Sequence, residues 1–255
     1  MTHDEYARIP GANWSALRHL LKSPQHYRYA LQSPDEDTAS RALGRAAHCA
    51  VLEPAAFAER YAVWAGDRRA KGYAAFLEAS GPKEVLTAAE YEAVKGMSLA
   101  VHNHPVAREY VTGGQAEELV RWQVLGRGCK GRLDYRVASG LVDLKTTRDA
   151  SPEGFAREVL RYLYHGQAAW YVDGARTAGL RVDDWTWVAV ESSAPYAVAV
   201  YRAPPELLEL GRGLYRKALE RLEACEASGK WPGYSEAVVT LQVPQWAFGG
   251  AEVYP

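Results

Sequence analysis

The sequence predicts an α/β fold in which a central mixed β-sheet is flanked by helices. Helical patterns fill most of the first hundred residues and return after residue 151. Strand-like alternation is concentrated in five segments: EELVRWQV, CKGRLDYRV, LVDLKTT, WTWVAV and YAVAVYR. Strands clustered at the centre of a chain, with helices on either side, are typical of a sheet covered by helical layers.

The composition is that of a globular protein with room for a sizeable core. The chain has 255 residues, 48% of them hydrophobic, so one large domain or two small ones would fit. No run of eighteen apolar residues occurs, and the first residues, MTHDEYARIPG, lack the features of a secretion signal. Three scattered cysteines fit neither a disulfide framework nor a CxxC metal site: Cys49, Cys129 and Cys225. We therefore expect a cytoplasmic protein.

The N-terminal helices are predicted from apolar periodicity and from prolines that end them. WSALRHLLK forms one helix, which closes at Ser23-Pro24. RALGRAAHCAVL forms another, and Pro54 ends it because the residue before a proline disfavours the α-conformation. The segment 60–81 is weakly patterned, and residues 83–101 are predicted as a further helix.

The later helices are predicted from their start signals. A serine–proline pair at 151–152 starts a helix that runs to about Ala178, with a break near Gly166. A proline pair at 204–205 precedes a last helix, which reaches about Ala227. The tail WPGYSEAVVTLQVPQWA is expected to be mostly irregular.

Charge is distributed unevenly along the chain. The formal net charge of -1 weakly opposes a protein coated in basic residues for nucleic acid binding. Between Arg127 and Arg148, however, six basic residues accompany only two acidic ones. This local excess suits a phosphate-bearing ligand near a cation, and it is equally compatible with a solvated charged face.

The segment GRLDYRVASGLVDLKTT, residues 131–147, places charged residues on a predicted β-hairpin. Strand interiors disfavour aspartate and neighbouring carboxylates repel, so Asp134 and Asp143 need a compensating partner. Because side chains alternate along a strand, Asp143 and Lys145 share one face. Whether Asp134 joins them depends on the turn.

Two turns are compatible with this segment. A two-residue loop at 139–140 sets Asp134 opposite Lys145 and Arg136 opposite Asp143, so that all four side chains share a face. A three-residue loop that begins one residue earlier shifts the register by one and turns Asp134 away. A bulge or a divergence of the strands would then be needed to bring it back.

On a shared face, Asp134 and Asp143 would form, with a nearby backbone carbonyl, an oxygen-lined site for Mg²⁺ or Mn²⁺. Lys145 beside such an ion would stabilise the charge that develops on a phosphoryl group, or orient and deprotonate a metal-bound water. This arrangement suits hydrolysis of a phosphodiester. The alternative is an exposed cross-strand ion pair without chemistry.

Three residues outside the hairpin are further candidates. His48 lies at the edge of the apolar helix stripe, one turn after Gly44, which leaves room above the ring. Gln167 and Tyr171 are four apart on a predicted helix and share a face, where they could hold a phosphate or the attacking water. Each of these residues is also compatible with ordinary packing.

Taken in order, these motifs resemble a known family. GRAAHCAVLEP, GRLD, VDLKTT and YHGQAAWY, with the early SALRHLLKSPQHYRY and the late WPGYSEAVVTLQVPQWA, look like the nuclease domain of bacterial and phage exodeoxyribonuclease VIII, in the PD-(D/E)xK superfamily. The resemblance covers nearly the whole chain. It implies a restriction-endonuclease-like core in a single domain, residues 1–255. Within it, a helical N-terminal part extends to about residue 110, and the catalytic sheet and helices occupy about 111–255.

The resemblance also implies roles for individual residues. The implied metal ligands are three side chains and one backbone carbonyl, those of His48, Asp134, Asp143 and Leu144. The implied catalytic residues are Lys145, Asp143, Asp134, Gln167 and Tyr171, with Lys145 as the catalytic lysine. A glutamate of the first strand also belongs to the family's site, and Glu117 and Glu118 both remain candidates for it.

The implied activity is that of a Mg²⁺-dependent exodeoxyribonuclease, with Mn²⁺ as an alternative ion, that degrades linear double-stranded DNA from its ends, 5′ to 3′. Phage or bacterial recombination is the implied setting. The implied partners are DNA ends, further copies in a homo-oligomeric ring, and a single-strand annealing protein. An endonuclease or flap-cleaving nuclease would use the same site, and a catalytically silent DNA-binding module would keep the same fold.

Overall fold

The structure, a computed structural model, describes residues 3–33, 37–138 and 140–243. Ser139 of the expected turn and residues 244–247 of the expected irregular tail lie outside the described residues. Within the described ranges, no helix combines the length and the apolar character needed to cross a membrane.

The N-terminal part is mainly helical. Its helices are α1 (His3–Arg8), α2 (Trp14–Lys22), α3 (Pro24–Gln32), α4 (Ala39–Leu52), α5 (Phe57–Arg60), α6 (Tyr73–Ser80), α7 (Ala88–Asn103) and α8 (Ala107–Tyr110). Two short parallel strands accompany them, β1 (Tyr61–Trp64) and β2 (Glu84–Thr87). The helix predicted from residue 83 begins later, because Thr87 and Glu90 form a capping box that starts α7.

A five-stranded mixed sheet forms the centre of the fold, as predicted. Its strands lie side by side in sequence order: β3 (Gln115–Val124), β4 (Arg127–Arg136), β5 (Gly140–Thr147), β6 (Asp184–Glu191) and β7 (Val198–Arg202). β5 and β6 are parallel, and the other neighbouring pairs are antiparallel. A parallel pair needs a crossover connection, and here two helices provide it.

The crossover consists of α9 (Pro152–Arg161) and α10 (Tyr164–Thr177). The predicted break is present but lies before Gly166, because the two helices separate at Leu163, whose backbone is left-handed with φ 58. Gly166 lies inside α10, where a Cβ atom would come within 2.2 Å of the Trp14 ring. This glycine therefore reflects the close approach of α2 and not a helix end.

Apolar cores lie on both sides of the sheet. Trp170 and Trp187 belong to the core between the sheet, α2, α10 and α11 (Pro205–Ser228). Met97 and Val188 belong to the opposite core, which packs under α4 and α7. The sheet thus carries helices on both faces, which brings residues of α4 and α10 towards the same strands from opposite sides.

Candidate active site

Asp134 and Asp143 lie opposite each other where β4 and β5 separate. In the described ladder, Arg136 pairs with Leu141, and continuing this register sets the two aspartates side by side. Both registers expected from the sequence are therefore wrong. The observed register differs from the first alternative by two residues. Because side chains alternate with a period of two, Asp134 still shares a face with Asp143 and Lys145, as that alternative predicted.

Three side chains from distant segments converge beside the two strands. His48 comes from α4, Glu117 from β3 and Asp134 from β4, and each offers a ligand atom such that all three atoms lie within 4.8 Å of one another. Nδ1 of His48 lies 3.5 Å from Oδ2 of Asp134. That oxygen is buried and has no hydrogen-bond partner among the described residues. The imidazole nitrogen and the two carboxylates, one of which carries the unpartnered oxygen, are a donor set that fits a divalent cation.

Glu117, rather than Glu118, belongs to this cluster. The residues on either side of Glu117 pair in register with those on either side of Asp134, so Glu117 faces Asp134 across the ladder. The backbone at Glu117 is left-handed, with φ 52. Glu118 instead forms an ion pair with Arg136 at 2.5 Å. The choice between Glu117 and Glu118, which the sequence left open, thus follows from the left-handed backbone at Glu117 in β3.

The protonation state of His48 favours cation binding. Burial, followed by the positive charge of Lys145, lowers the pKa of His48 to about 4, so the ring is neutral near pH 7 and keeps a lone pair. A hydrogen bond involving the Leu144 backbone acts in the opposite direction, which locates Leu144 beside the ring. Burial raises the pKa of Asp134 and of Glu117. A divalent cation would favour the ionised form of both carboxylates.

Lys145 and Asp143 form a buried ion pair next to the cluster. Nζ lies 2.6 Å from Oδ2, and only 1% of the Asp143 side chain is exposed. Gln167 of α10 donates a hydrogen bond from Nε2 to Oδ1 of the same carboxylate at 3.1 Å. Burial raises the pKa of Asp143 to about 7 against the opposing charge of Lys145. Burial alone would lower the pKa of Lys145, but the two aspartates outweigh it and raise that pKa, so the lysine is a cation.

Tyr171 lies one turn beyond Gln167 on α10 and packs over β4. Gly131 of β4 makes room for the ring, since a Cβ atom there would lie 2.8 Å from Cε1 of Tyr171. Burial raises the pKa of Tyr171 well above its ordinary value, so the hydroxyl stays protonated and is available as a donor.

Sequence reasoning misses two residues at this site. Nζ of Lys145 lies 4.8 Å from the centre of the Tyr164 ring, in a cation–π contact. Arg132 of β4 binds the Glu117 carboxylate at 2.8 Å. A signal existed for each: Tyr164 precedes Gln167 by three residues on one helix face, and Arg132 shares a strand face with Asp134.

The basic residues of segment 127–148 do not form a continuous open patch. Arg127 pairs with Glu226 of α11, and Arg136 pairs with Glu118. Lys130 is buried and donates hydrogen bonds to carbonyl oxygens at the end of α1 and just beyond it, including that of Tyr6 at 2.7 Å. These three cations are engaged within the fold and Arg148 is exposed, whereas Lys145 and Arg132 lie beside the carboxylates.

The structure thus brings together His48, Asp134, Asp143, Lys145 and Gln167, with Tyr171 on the same helix as Gln167 and the Leu144 backbone beside the His48 ring. Their metal-binding and catalytic roles stay predictions. The geometric finding is that one imidazole, three carboxylates and an ammonium group meet at one place, although they are far apart in the sequence.

Comparison with known proteins gives a family and a fold. The model of a family described as a PDDEXK-like domain of unknown function (DUF3799) matches residues 13–243. No curated protein matches the chain significantly. Among solved structures, a candidate exonuclease from Eubacterium rectale is similar over 99% of each chain, with 10% identity and a TM-score of 0.66. This likeness confirms the predicted restriction-endonuclease-like core. The structure of SSO0001, which covers 84% of this chain and 87% of its own at 14% identity, has a TM-score of 0.32 and carries no argument.

Proposed function

This chain belongs to the PDDEXK-like family whose model it matches, and on that premise we propose that it is a metal-dependent deoxyribonuclease that degrades linear double-stranded DNA from its ends, 5′ to 3′. The family and the fold support nuclease chemistry in general. The choice of an exonuclease is supported by the description of the Eubacterium rectale neighbour and by the motif resemblance to exodeoxyribonuclease VIII. The proposed ion is Mg²⁺, with Mn²⁺ as the alternative.

One observation carries this proposal: the ligand atoms of His48, Glu117 and Asp134 lie within 4.8 Å of one another, beside the partly buried Lys145. An imidazole and carboxylates are donors that Mg²⁺ and Mn²⁺ accept, and the unpartnered Asp134 oxygen would gain a partner from such an ion. In a silent DNA-binding module, the clustering of these carboxylates would have no compensating role.

The chemistry follows from the residues around this cluster. A divalent cation, when bound, supplies Lewis-acid stabilisation to the phosphodiester. Lys145 presents a fixed positive charge that stabilises the negative charge on phosphate oxygens as the bond to phosphorus breaks. Gln167 holds the Asp143 carboxylate and thereby fixes the ion-pair partner of Lys145. The protonated hydroxyl of Tyr171 is suited to donate to a phosphate oxygen or to the attacking water.

The decisive assay compares a linear duplex with a covalently closed circle of the same sequence, each incubated with Mg²⁺, with Mn²⁺ or with a chelator. We expect metal-dependent loss of the linear duplex and an intact circle. Lys145→Ala should abolish this activity, whereas Lys71→Ala, at an exposed lysine of the N-terminal part, should retain it. Cutting of the circle would replace the exonuclease by an endonuclease. DNA binding without cleavage in either metal would favour the silent module.

The proposed polarity of degradation and the proposed oligomeric state are each tested by a separate measurement. A label at the 5′ end should be released before a label at the 3′ end, and the reverse order would overturn the proposed polarity. The proposal also includes a homo-oligomeric ring, because a ring would retain a duplex during successive cuts. Sedimentation at low protein concentration measures the oligomeric state, and a monomer would contradict the proposed ring.

A further inference from the structure

Two tyrosine rings, those of Tyr164 and Tyr162, lie between Lys145 and the protein surface. The Tyr164 ring that contacts Nζ of Lys145 lies 5.6 Å, centre to centre, from the ring of Tyr162. Cζ of Arg161 lies 5.4 Å from the centre of the Tyr162 ring. Lys145 of β5 is thus connected through the rings of Tyr164 and Tyr162 to Arg161, and these last three residues lie in or next to the short connection between α9 and α10.

The outer end of this pair is open to solvent. Tyr162 and the end of α9 are accessible, with 41% of Tyr162 and 54% of Leu160 exposed. An exposed aromatic ring with a guanidinium group beside it is a surface on which a nucleobase can stack. The pKa of Tyr164, in contrast, is raised by burial, as expected for the inner ring of the pair.

The backbone that presents the two rings is strained. Leu163, between the tyrosines, has φ 58, a left-handed conformation that is unfavourable for leucine, and its side chain packs against the core under α10. The rings of Tyr162 and Tyr164, on either side of Leu163 in the sequence, remain neighbours, and the Tyr164 ring contacts Lys145. A strained connection that persists beside a reactive group is a reason to look for a ligand.

We propose that Tyr162 and Arg161 form a platform on which an unpaired nucleobase of the strand being cut stacks, next to the scissile phosphate. Aromatic rings and guanidinium planes are the side chains that stack on bases irrespective of sequence, and the arginine adds a charge for the adjoining phosphate. A fully paired base offers no free face except at the end of the duplex. The platform therefore binds at the end of a duplex, where an unpaired base has both faces free to stack. This inference rests on the proposed nuclease function and specifies how its substrate is held.

Fluorescence of 2-aminopurine tests the platform without cleavage. A duplex carries one unpaired 2-aminopurine at its 5′ end, and Ca²⁺ replaces Mg²⁺, with a gel to verify that the DNA stays intact. Stacking on an aromatic side chain quenches this base. We expect the full-length protein to quench it, Tyr162→Phe to quench it equally, and Tyr162→Ala to lose the quenching and to weaken binding roughly 5- to 100-fold.

Tyr29→Ala is the matched control, since Tyr29 is 71% exposed on α3 and is not part of the platform. It should quench like the wild type. Equal quenching by wild type and Tyr162→Ala, in a protein that cleaves DNA with Mg²⁺, would overturn the platform and leave the proposed function standing. Failure of the wild type to cleave DNA with any divalent ion would overturn the proposed function and the platform with it.

Discussion

Glu117 faces Asp134 across the β3–β4 ladder while its own backbone is held in a left-handed conformation. Such a conformation costs a non-glycine residue on the order of 1–3 kcal/mol and persists only where the surroundings impose it. Here it accompanies the meeting of the Glu117 carboxylate with His48 and Arg132. Backbone strain in β3 is therefore associated with assembly of the site, and the next residue, Glu118, is left to pair with Arg136.

The first prediction separates these two glutamates. Wild-type protein should gain thermal stability with Mn²⁺, by roughly 5 °C at a hundredfold excess over the dissociation constant. Glu117→Gln should lose most of this gain because it removes a ligand charge from the cluster. Glu118→Gln, the matched control, should keep it. Differential scanning fluorimetry measures both, and an equal response of the two variants would contradict the assignment of Glu117.

Asp143→Asn should abolish cleavage and raise the melting temperature of the metal-free protein at pH 8. Burial raises the pKa of Asp143 from an ordinary value of 3.8 to about 7. The folded state therefore binds this proton more tightly than the unfolded state, and the carboxyl weakens stability increasingly as pH rises from about 4 to about 7. The gain should accordingly be smaller at pH 5 than at pH 8. A lower melting temperature for the variant at pH 8 would contradict this.

His48→Ala should weaken metal binding more than DNA binding. The neutral ring offers a lone pair to the cluster, and loss of one ligand lowers the affinity for the ion while the rest of the protein surface is unchanged. Titration with Mn²⁺ followed by electron paramagnetic resonance gives the first affinity, and fluorescence anisotropy with labelled duplex in chelator gives the second. Equal weakening of both would favour a packing role for His48.

Tyr164 should act as a positioning residue for Lys145 through its ring. Tyr164→Phe keeps the ring face above Nζ and should retain most of the turnover rate. Tyr164→Leu removes that face and should lower kcat roughly tenfold, because a cation–π contact is worth about 1–2 kcal/mol when partly desolvated. Steady-state kinetics on a linear duplex provides kcat and KM separately. Equal kcat for the two variants would show that the ring does not position the lysine.

A fifth prediction concerns the packing of α10 on α11. Arg212 donates from Nε and Nη2 to Asp173 at 2.8 Å each, and Tyr215 donates to the same carboxylate at 2.7 Å. Burial would raise the pKa of Asp173, but these hydrogen bonds outweigh it and lower that pKa. The ionised Asp173 carboxylate therefore stabilises the fold above pH 4. This contribution is lost as pH falls through the lowered pKa of Asp173.

Asp173→Asn should accordingly reduce the free energy of unfolding by about 2–3 kcal/mol at pH 7, and by less below pH 4. Asp183→Asn is the control, since the ion pair of Asp183 with Arg181 is largely exposed and is expected to contribute little. Denaturant titrations at both pH values measure the difference. A loss at pH 3 as large as that at pH 7 would contradict the role of the ionised carboxylate.

The periodicity of apolar residues and the order of helices and strands along the sequence were enough to predict much of this fold. Alternation gave the strands that carry Asp134 and Asp143, and the α/β arrangement followed from the placement of helices on either side of them. The register between β4 and β5 was not predictable, because it depends on the turn and on the early separation of the strands. The helix break was misplaced because a glycine that accommodates Trp14 looks, in sequence, like a helix end.

The site could be predicted in its residue types but not in its contacts. Lys145 and Asp143 were identified by strand alternation, and Gln167 by its position on a helix. Glu117 could not be distinguished from Glu118, since a single left-handed residue decides which carboxylate turns inward. Tyr164 was missed although it shares a helix face with Gln167, because an aromatic residue at helical spacing usually indicates packing.

Anomalous scattering from crystals soaked in Mn²⁺ would locate the ion directly. We expect one strong peak within bonding distance of His48, Glu117 and Asp134, adjacent to the Lys145–Asp143 pair. A fully occupied peak elsewhere, with the His48 ring turned away from Asp134, would contradict this expectation.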